Sequence, residues 1–171
     1  PILPGDYSDP DIVRVGDDFY LVNSTFAWFP GIPIYHSRDL VHWRQIGNAI
    51  DRPEMLDFHG VGTSRGVFAP AITWRDGTFY ILNTCVDCGG NYLITAKNPA
   101  GPWSDPVWLP FEGIDCSLFI DDDGSAWIVN NGEPPEKPRY DGRWAIWIQA
   151  FYLNTLQLFR PRKVLVDGRV H

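Results

Sequence analysis

Asp9 and Asp115 each stand at the start of a short apolar run, Pro10-Asp11-Ile12-Val13-Arg14-Val15 in one case and Ser117-Leu118-Phe119-Ile120 in the other. Two carboxylates brought to one aromatic-lined pocket can cleave a glycosidic bond, because one activates water while the other governs a proton. Taken singly, an Asp before Pro or Ser is as readily a strand cap or an Asx turn. Its recurrence at the same point of a repeat is what turns the balance towards chemistry. Asp121, Asp122 and Asp123 have ordinary turn duty, and their spacing is not that of a calcium loop. Of the three cysteines, Cys85 and Cys88 form a single Cys-x-x-Cys. A zinc site needs two more ligands at a compatible spacing, which Cys116 and a distant His do not supply, so free thiols, buried or half-buried, are expected. The pattern Asn23-Ser24-Thr25 lies in a strand-like run and reads as a chance glycosylation match.

The elements that would carry these residues repeat three times. Each unit opens with a short apolar strand, at Pro10–Val15, Pro70–Trp74 and Ser117–Ile120. A tight turn follows at Gly16-Asp17-Asp18, at Arg75-Asp76-Gly77 and at Asp122-Asp123-Gly124, where Asp-Gly is the expected hairpin chemistry. Second strands then read Phe19–Val22, Phe79–Leu82 and Ala126–Val129, rich in aromatic and β-branched residues. Third strands are expected at Ile32–Ser37, Asn91–Ala96 and Ala145–Tyr152, and fourth strands at His42–Ile46, Trp103–Leu109 and Arg162–Val166. Four antiparallel strands per unit at a period of several tens of residues point to propeller blades. A β-sandwich also has many short strands, but nothing in it predicts the same strand–turn–strand order three times. The units run over about 9–50, 66–110 and 113–168. Three blades do not close a ring, since propellers have about four to eight, so an incomplete propeller is expected.

In a propeller the first strand of each blade lines the axis. The repeat frame puts Asp9, Ala69 and Asp115 at equivalent places, so two units offer a carboxylate and the middle one offers a small residue preceded by Phe68.

The composition agrees with an all-β globule. Of 171 residues, 44% are hydrophobic and 15% aromatic, with eight Trp, a load that excludes a disordered or coiled-coil chain. Gly (16) and Pro (15) are spread along the sequence, which disfavours long helices. A net charge of −7 and a pI near 4.9 argue against nucleic acid as a partner. No apolar run of about 18 residues marks a membrane span. Pro1 opens the chain without a charged n-region, and the missing initiator methionine points to trimming, which leaves the compartment open.

Several of these segments resemble glycoside hydrolase family 43, of the β-xylosidase/α-L-arabinofuranosidase type. Tyr7-Ser8-Asp9-Pro10-Asp11-Ile12 is similar to the family motif that carries the general base. Gly113-Ile114-Asp115-Cys116-Ser117-Leu118-Phe119 is similar to the motif of a third carboxylate that tunes pKa and orients the acid. Ser24–Ile32, His36–Trp43 and Gly66-Val67-Phe68-Ala69-Pro70 resemble further motifs of such members, so the likeness covers essentially the whole chain. It implies a five-bladed β-propeller of which this chain supplies about the first three blades. It also implies Asp9 as general base, Asp115 as pKa modulator, and Phe26, Trp28 and Phe68 as a sugar-binding wall. On its own pattern Trp28 is equally a core residue. Many relatives have Trp where Phe68 stands.

The implied reaction is exo-acting and inverting, with base and acid roughly 6.5–9.5 Å apart, releasing xylose or arabinose from xylan-derived oligosaccharides. No cofactor is required by it. A structural calcium ion in the complete propeller would depend on later blades, and no metal ligand is assigned here. The family's acid is a Glu in a Glu-Gly-Pro-His-like motif of the fourth blade, and no such motif occurs in this sequence. Glu54, Glu112, Glu133 and Glu136 all fall in loop-like stretches. The expectation is therefore a second polypeptide carrying the remaining blades and the acid. A non-catalytic carbohydrate-binding propeller fragment is the alternative. A WD-type interaction propeller is disfavoured, since Trp43, Trp103 and Trp108 are followed by Arg, Ser and Leu.

Overall fold

A computed structural model describes residues 2–138 and 140–167 as strands and loops, with no helix among them. The first sheet has the order β1 (Asp11–Val15), β2 (Asp18–Val22), β3 (Gly31–Ser37), β4 (Arg44–Ile50). In the second, β5 (Gly66–Val67) and β6 (Ala71–Arg75) both pair with β7 (Thr78–Val86), which continues to β8 (Gly90–Ala96) and β9 (Val107–Trp108). The third runs β10 (Ile114–Ile120), β11 (Ala126–Gly132), β12 (Ala145–Tyr152), β13 (Gln157–Asp167). All pairings are antiparallel, and the three sheets are consecutive blades of a partial β-propeller.

The hairpins follow from local sequence. Val15 pairs with Asp18 across Gly16-Asp17, and Arg75 with Thr78 across Asp76-Gly77. Asp76 and Gly77 both take positive φ, 48° and 75°, as a type I′ turn demands. The fourth strands depart from expectation. β4 begins at Arg44 rather than His42, because Asp39 accepts the backbone N–H groups of Val41 and His42 at 2.9 and 2.7 Å and holds that segment in a capped turn. β9 shrinks to two residues between Pro106 and Pro110, which cannot donate to a ladder. The two-residue β5 has no counterpart in the expected strands.

Packing between blades explains the hydrophobic pattern. β10 alternates buried and exposed positions, whereas Ile81 and Leu82 in β7, and Tyr92, Leu93 and Ile94 in β8, are all fully buried. The middle blade is covered on both faces. Ile81, Tyr92 and Ile94 pack with Val22, Ile34 and Ile50 of the first blade, while Leu82 and Leu93 pack with Leu118, Ile128 and Phe151 of the third. Each such side chain contributes roughly 1.5–3 kcal/mol on burial. The inner strands are tied sideways by polar contacts: Asp11 accepts the Ile72 backbone N–H at 2.8 Å, and the Thr73 hydroxyl donates to the Leu118 carbonyl at 2.9 Å. On the far side of blade three, by contrast, Phe119, Leu165 and Val166 are exposed.

Cys85 and Cys88 form a disulfide at the β7–β8 turn, with Cα atoms 5.2 Å apart, so the expectation of free thiols fails for this pair. Its reason is the hairpin itself, which folds residues three apart onto each other within the reach of an S–S bond. Cys116 is free and buried.

Candidate active site

The axial ends of β1, β6 and β10 gather the residues singled out above. Asp9, two residues before β1, has φ 52°, and Asp115, inside β10, has φ 54°. Both lie in the left-handed region, which costs a non-glycine residue about 1–3 kcal/mol and tends to mark functional positions. In β10 the register slips between Ile114 and Ser117, so Asp115 sits in a β-bulge, the device that re-aims a side chain at a strand end. Ala69, the equivalent residue of blade two, takes no positive φ.

Asp115 senses the charge of Asp9. Partial burial pushes the Asp115 carboxyl up from the ordinary carboxylate range, the charge of Asp9 pushes it further the same way, and a hydrogen bond from Asn131 opposes both. Asp9 accepts a 2.6 Å hydrogen bond from the Ser24 hydroxyl.

Neither Ser24 nor Asn131 was singled out by sequence reasoning, although a signal exists. Within or directly after each second strand an apolar residue is followed by Asn and one more polar residue: Val22-Asn23-Ser24, Leu82-Asn83-Thr84 and Val129-Asn130-Asn131. The three asparagines are buried, and their amides donate to nearby carbonyls, Asn23 to Ser24, Asn83 to Phe68 and Asn130 to Glu112. The residue that follows then meets the axial position of its own blade. Ser24 meets Asp9 and Asn131 meets Asp115; Thr84 has only Ala69 there and bonds Asn91 at 2.6 Å instead. With 3% exposure, Asn23 is closed to glycosylation, in keeping with a chance sequon.

Phe26 and Phe68 stand edge to face, with ring centroids 5.9 Å apart. An isolated β-bridge between Phe26 and Val67 joins the blade-one loop to β5 and holds the two rings together. Gly66 permits this approach, since its φ is 95° and a Cβ there would run into the Phe26 carbonyl. Arg65 lies 5.9 Å over the Phe68 ring and forks onto Asp87 at 2.7 and 3.0 Å. Trp28 is 70% exposed and therefore no core residue. It shares with Phe26 and Ser24 a shallow cleft of about 450 Å³ along blade one, which Phe68 does not line. No group of three or more His, Cys, Asp or Glu side chains suited to a metal ion occurs among the described residues.

The arrangement can hold a sugar against an apolar wall and set two carboxylates beside it, one of them, Asp115, held above the ordinary carboxylate range. The family description "Glycosyl hydrolases family 43" matches residues 1–170. The chain is 48% identical over 171 residues to a xylosidase/arabinosidase of Butyrivibrio fibrisolvens, covering 98% of this chain and 33% of that protein. It is 53% identical over 126 residues to a non-reducing end α-L-arabinofuranosidase of Bacteroides ovatus, covering 71% of this chain and 24% of that one. Among solved structures, a GH43_12 protein from a capybara gut metagenome superposes with TM-score 0.93 at 49% identity, covering 99% of this chain and 32% of that one. The chain thus spans about a quarter to a third of the length of these relatives. By that match and these likenesses, the chain belongs to glycosyl hydrolases family 43.

Proposed function

We propose that this chain supplies the base and the pKa-modulating carboxylate of an exo-acting, inverting glycoside hydrolase that releases xylose, arabinose or both from xylan-derived oligosaccharides. Asp9 takes a proton from water as the water oxygen bonds to the anomeric carbon. The glycosidic C–O bond breaks on the opposite face of the sugar, and a general acid protonates the departing oxygen. That acid comes from polypeptide beyond this chain, carried by the blades that complete the ring. Asp115, whose carboxyl is held above the ordinary carboxylate range by partial burial and the charge of Asp9, steers the acid, while Phe26, Trp28 and Phe68 form the wall against the C–H faces of the sugar. The reaction needs no cofactor.

The observation that carries the reading is the pairing of Asp9 and Asp115 at equivalent blade positions, both with left-handed φ and with the charge of Asp9 acting on Asp115. The exposed apolar face of blade three and the third-length span support further blades from a second polypeptide or a longer one.

The test is hydrolysis of an aryl β-xyloside and an aryl α-L-arabinofuranoside, with intact mass identifying the polypeptides present and NMR following the anomer first released. Turnover with inversion that disappears in Asp9→Asn supports the reading. Turnover by this chain alone would overturn the external acid, and binding without turnover by the completed propeller would favour a carbohydrate-binding role.

A further inference from the structure

The ladder between β5 and β7 continues one step beyond its backbone in side chains. Gly66 pairs with Val86 and Val67 with Cys85, so the next pair in that register is Arg65 and Asp87. There the Arg65 Nε and Nη2 donate to the two Asp87 carboxylate oxygens at 2.7 and 3.0 Å, a fork that fixes the plane of the guanidinium as well as its place. The hydrogen bond from Arg65 holds the Asp87 carboxyl below its ordinary range.

The guanidinium so placed lies 5.9 Å from the centre of the Phe68 ring. The Phe68 backbone is anchored independently, its N–H donating to the Thr84 carbonyl at 3.0 Å and its carbonyl accepting the Asn83 amide at 2.7 Å. Side-chain rotation is the freedom left to that residue. Two ring contacts bear on it, the edge-to-face Phe26 and the Arg65 cation.

Asp87 is held by the turn Cys85-Val86-Asp87-Cys88. The Cys88 N–H donates to the Cys85 carbonyl at 3.3 Å, and the disulfide joins the first and last residues of the turn. As its third residue Asp87 takes φ 67°, a left-handed conformation that Asp and Asn accept more readily than most side chains. Ion pairs between half-exposed side chains are ordinarily weak. Here a cross-linked turn presents the carboxylate, so less freedom is lost when the pair forms.

We propose that Arg65 and Asp87 are positioning residues of the hydrolase, which set the Phe68 ring against the sugar while the Cys85–Cys88 disulfide holds Asp87 in reach of Arg65. The role rests on the glycosidase reading, and neither side chain enters the bond-breaking step. The platform is then sensitive to a dithiol reductant. One thiolate of the dithiol attacks the half-buried Cys88 sulfur, and Cys85 leaves as a thiolate. The second thiolate closes the reductant's own disulfide and frees Cys88. The two protons the dithiol gives up end on the two cysteines, and the turn that presents Asp87 is released.

The test measures kcat and KM on the better aryl glycoside for wild type, Asp87→Asn, Arg65→Gln and Arg65→Lys of the active protein, both oxidised and after dithiol treatment. Carbon-13-labelled phenylalanine in the same proteins reports the Phe68 ring by NMR, with Phe68→Leu assigning its signals and thermal melts checking the fold. Asp87→Asn keeps a residue that accepts left-handed backbone. Arg65→Gln and Asp87→Asn are each expected to raise KM about fivefold, with kcat changed less than about twofold, and to shift the Phe68 signals. Arg65→Lys keeps the cation without the fork and falls between. Reduction raises KM and shifts the ring signals in wild type but adds nothing in Asp87→Asn, where the link is already cut. Unchanged KM and ring signals in Arg65→Gln and Asp87→Asn would overturn the proposal, as would a loss confined to kcat or a reductant effect of equal size in wild type and Asp87→Asn. A wild type that cleaves no aryl glycoside would sink the hydrolase reading, and the ring signals still decide whether Arg65 and Asp87 hold Phe68.

Discussion

Asp9 and Asp115 enter blades one and three with the same left-handed backbone, φ 52° and 54°, although one precedes its strand and the other lies in a bulge within it. Two different local routes thus aim equivalent side chains at one place, and each carboxyl receives a hydrogen bond from the residue that follows a buried asparagine of its own blade.

Because the charge of Asp9 raises Asp115 while the Asn131 amide lowers it, two substitutions should move the same group in opposite directions. Asp9→Asn removes the repulsion, and the Asp115 pKa falls. Asn131→Ala removes the hydrogen bond, and it rises. Carbon-13 carboxyl titration by NMR reads both shifts; movement in the same direction would contradict the proposed environment.

Asp115 also makes a stability prediction. A carboxyl whose folded pKa lies above its unfolded value favours folding in its protonated form, so that contribution is full below the unfolded pKa and is lost as pH rises through the folded one. Above its folded pKa the ionised Asp115 opposes folding. Asp115→Asn should therefore raise the melting temperature at pH 7, and the gain over wild type should shrink towards pH 3. A gain independent of pH would show that charge is not its source.

Gly66 is a steric hinge for the aromatic wall. In Gly66→Ala the new methyl meets the Phe26 carbonyl at a backbone φ that L-residues resist, costing on the order of 3 kcal/mol. Chemical denaturation measures the loss. The Phe26–Val67 bridge should open with it, so KM for the aryl glycoside rises even where the variant is fully folded.

The three cysteines should count differently by state. Cys85 and Cys88 are joined, and burial pushes the Cys116 thiol up to about 12, so the native protein should show no reactive thiol. Denaturation without reductant should expose one, and reduction three, from the total of three cysteines. Three thiols in the denatured, unreduced protein would refute the disulfide.

Much of the architecture is legible in the sequence because it is written in short-range terms. Asp76-Gly77 dictates a tight turn and the β-branched and aromatic runs dictate strands, so a strand, tight turn and strand repeated three times announce blades. The equivalence of Asp9 and Asp115 is legible through the same repeat, as is the Asn-polar pair within or directly after each second strand once the blades are aligned. What the sequence could not settle depends on distance through space. Trp28 had equal claims to core and surface until packing left it exposed, and Cys85 and Cys88 looked like free thiols until the β7–β8 turn folded one onto the other. The influence of Asp9 on Asp115, 106 positions away in the sequence, arises only when separate blades pack. Side-chain pKa and cavity shape are set by neighbours that the tertiary fold selects, and no local pattern encodes who those neighbours are.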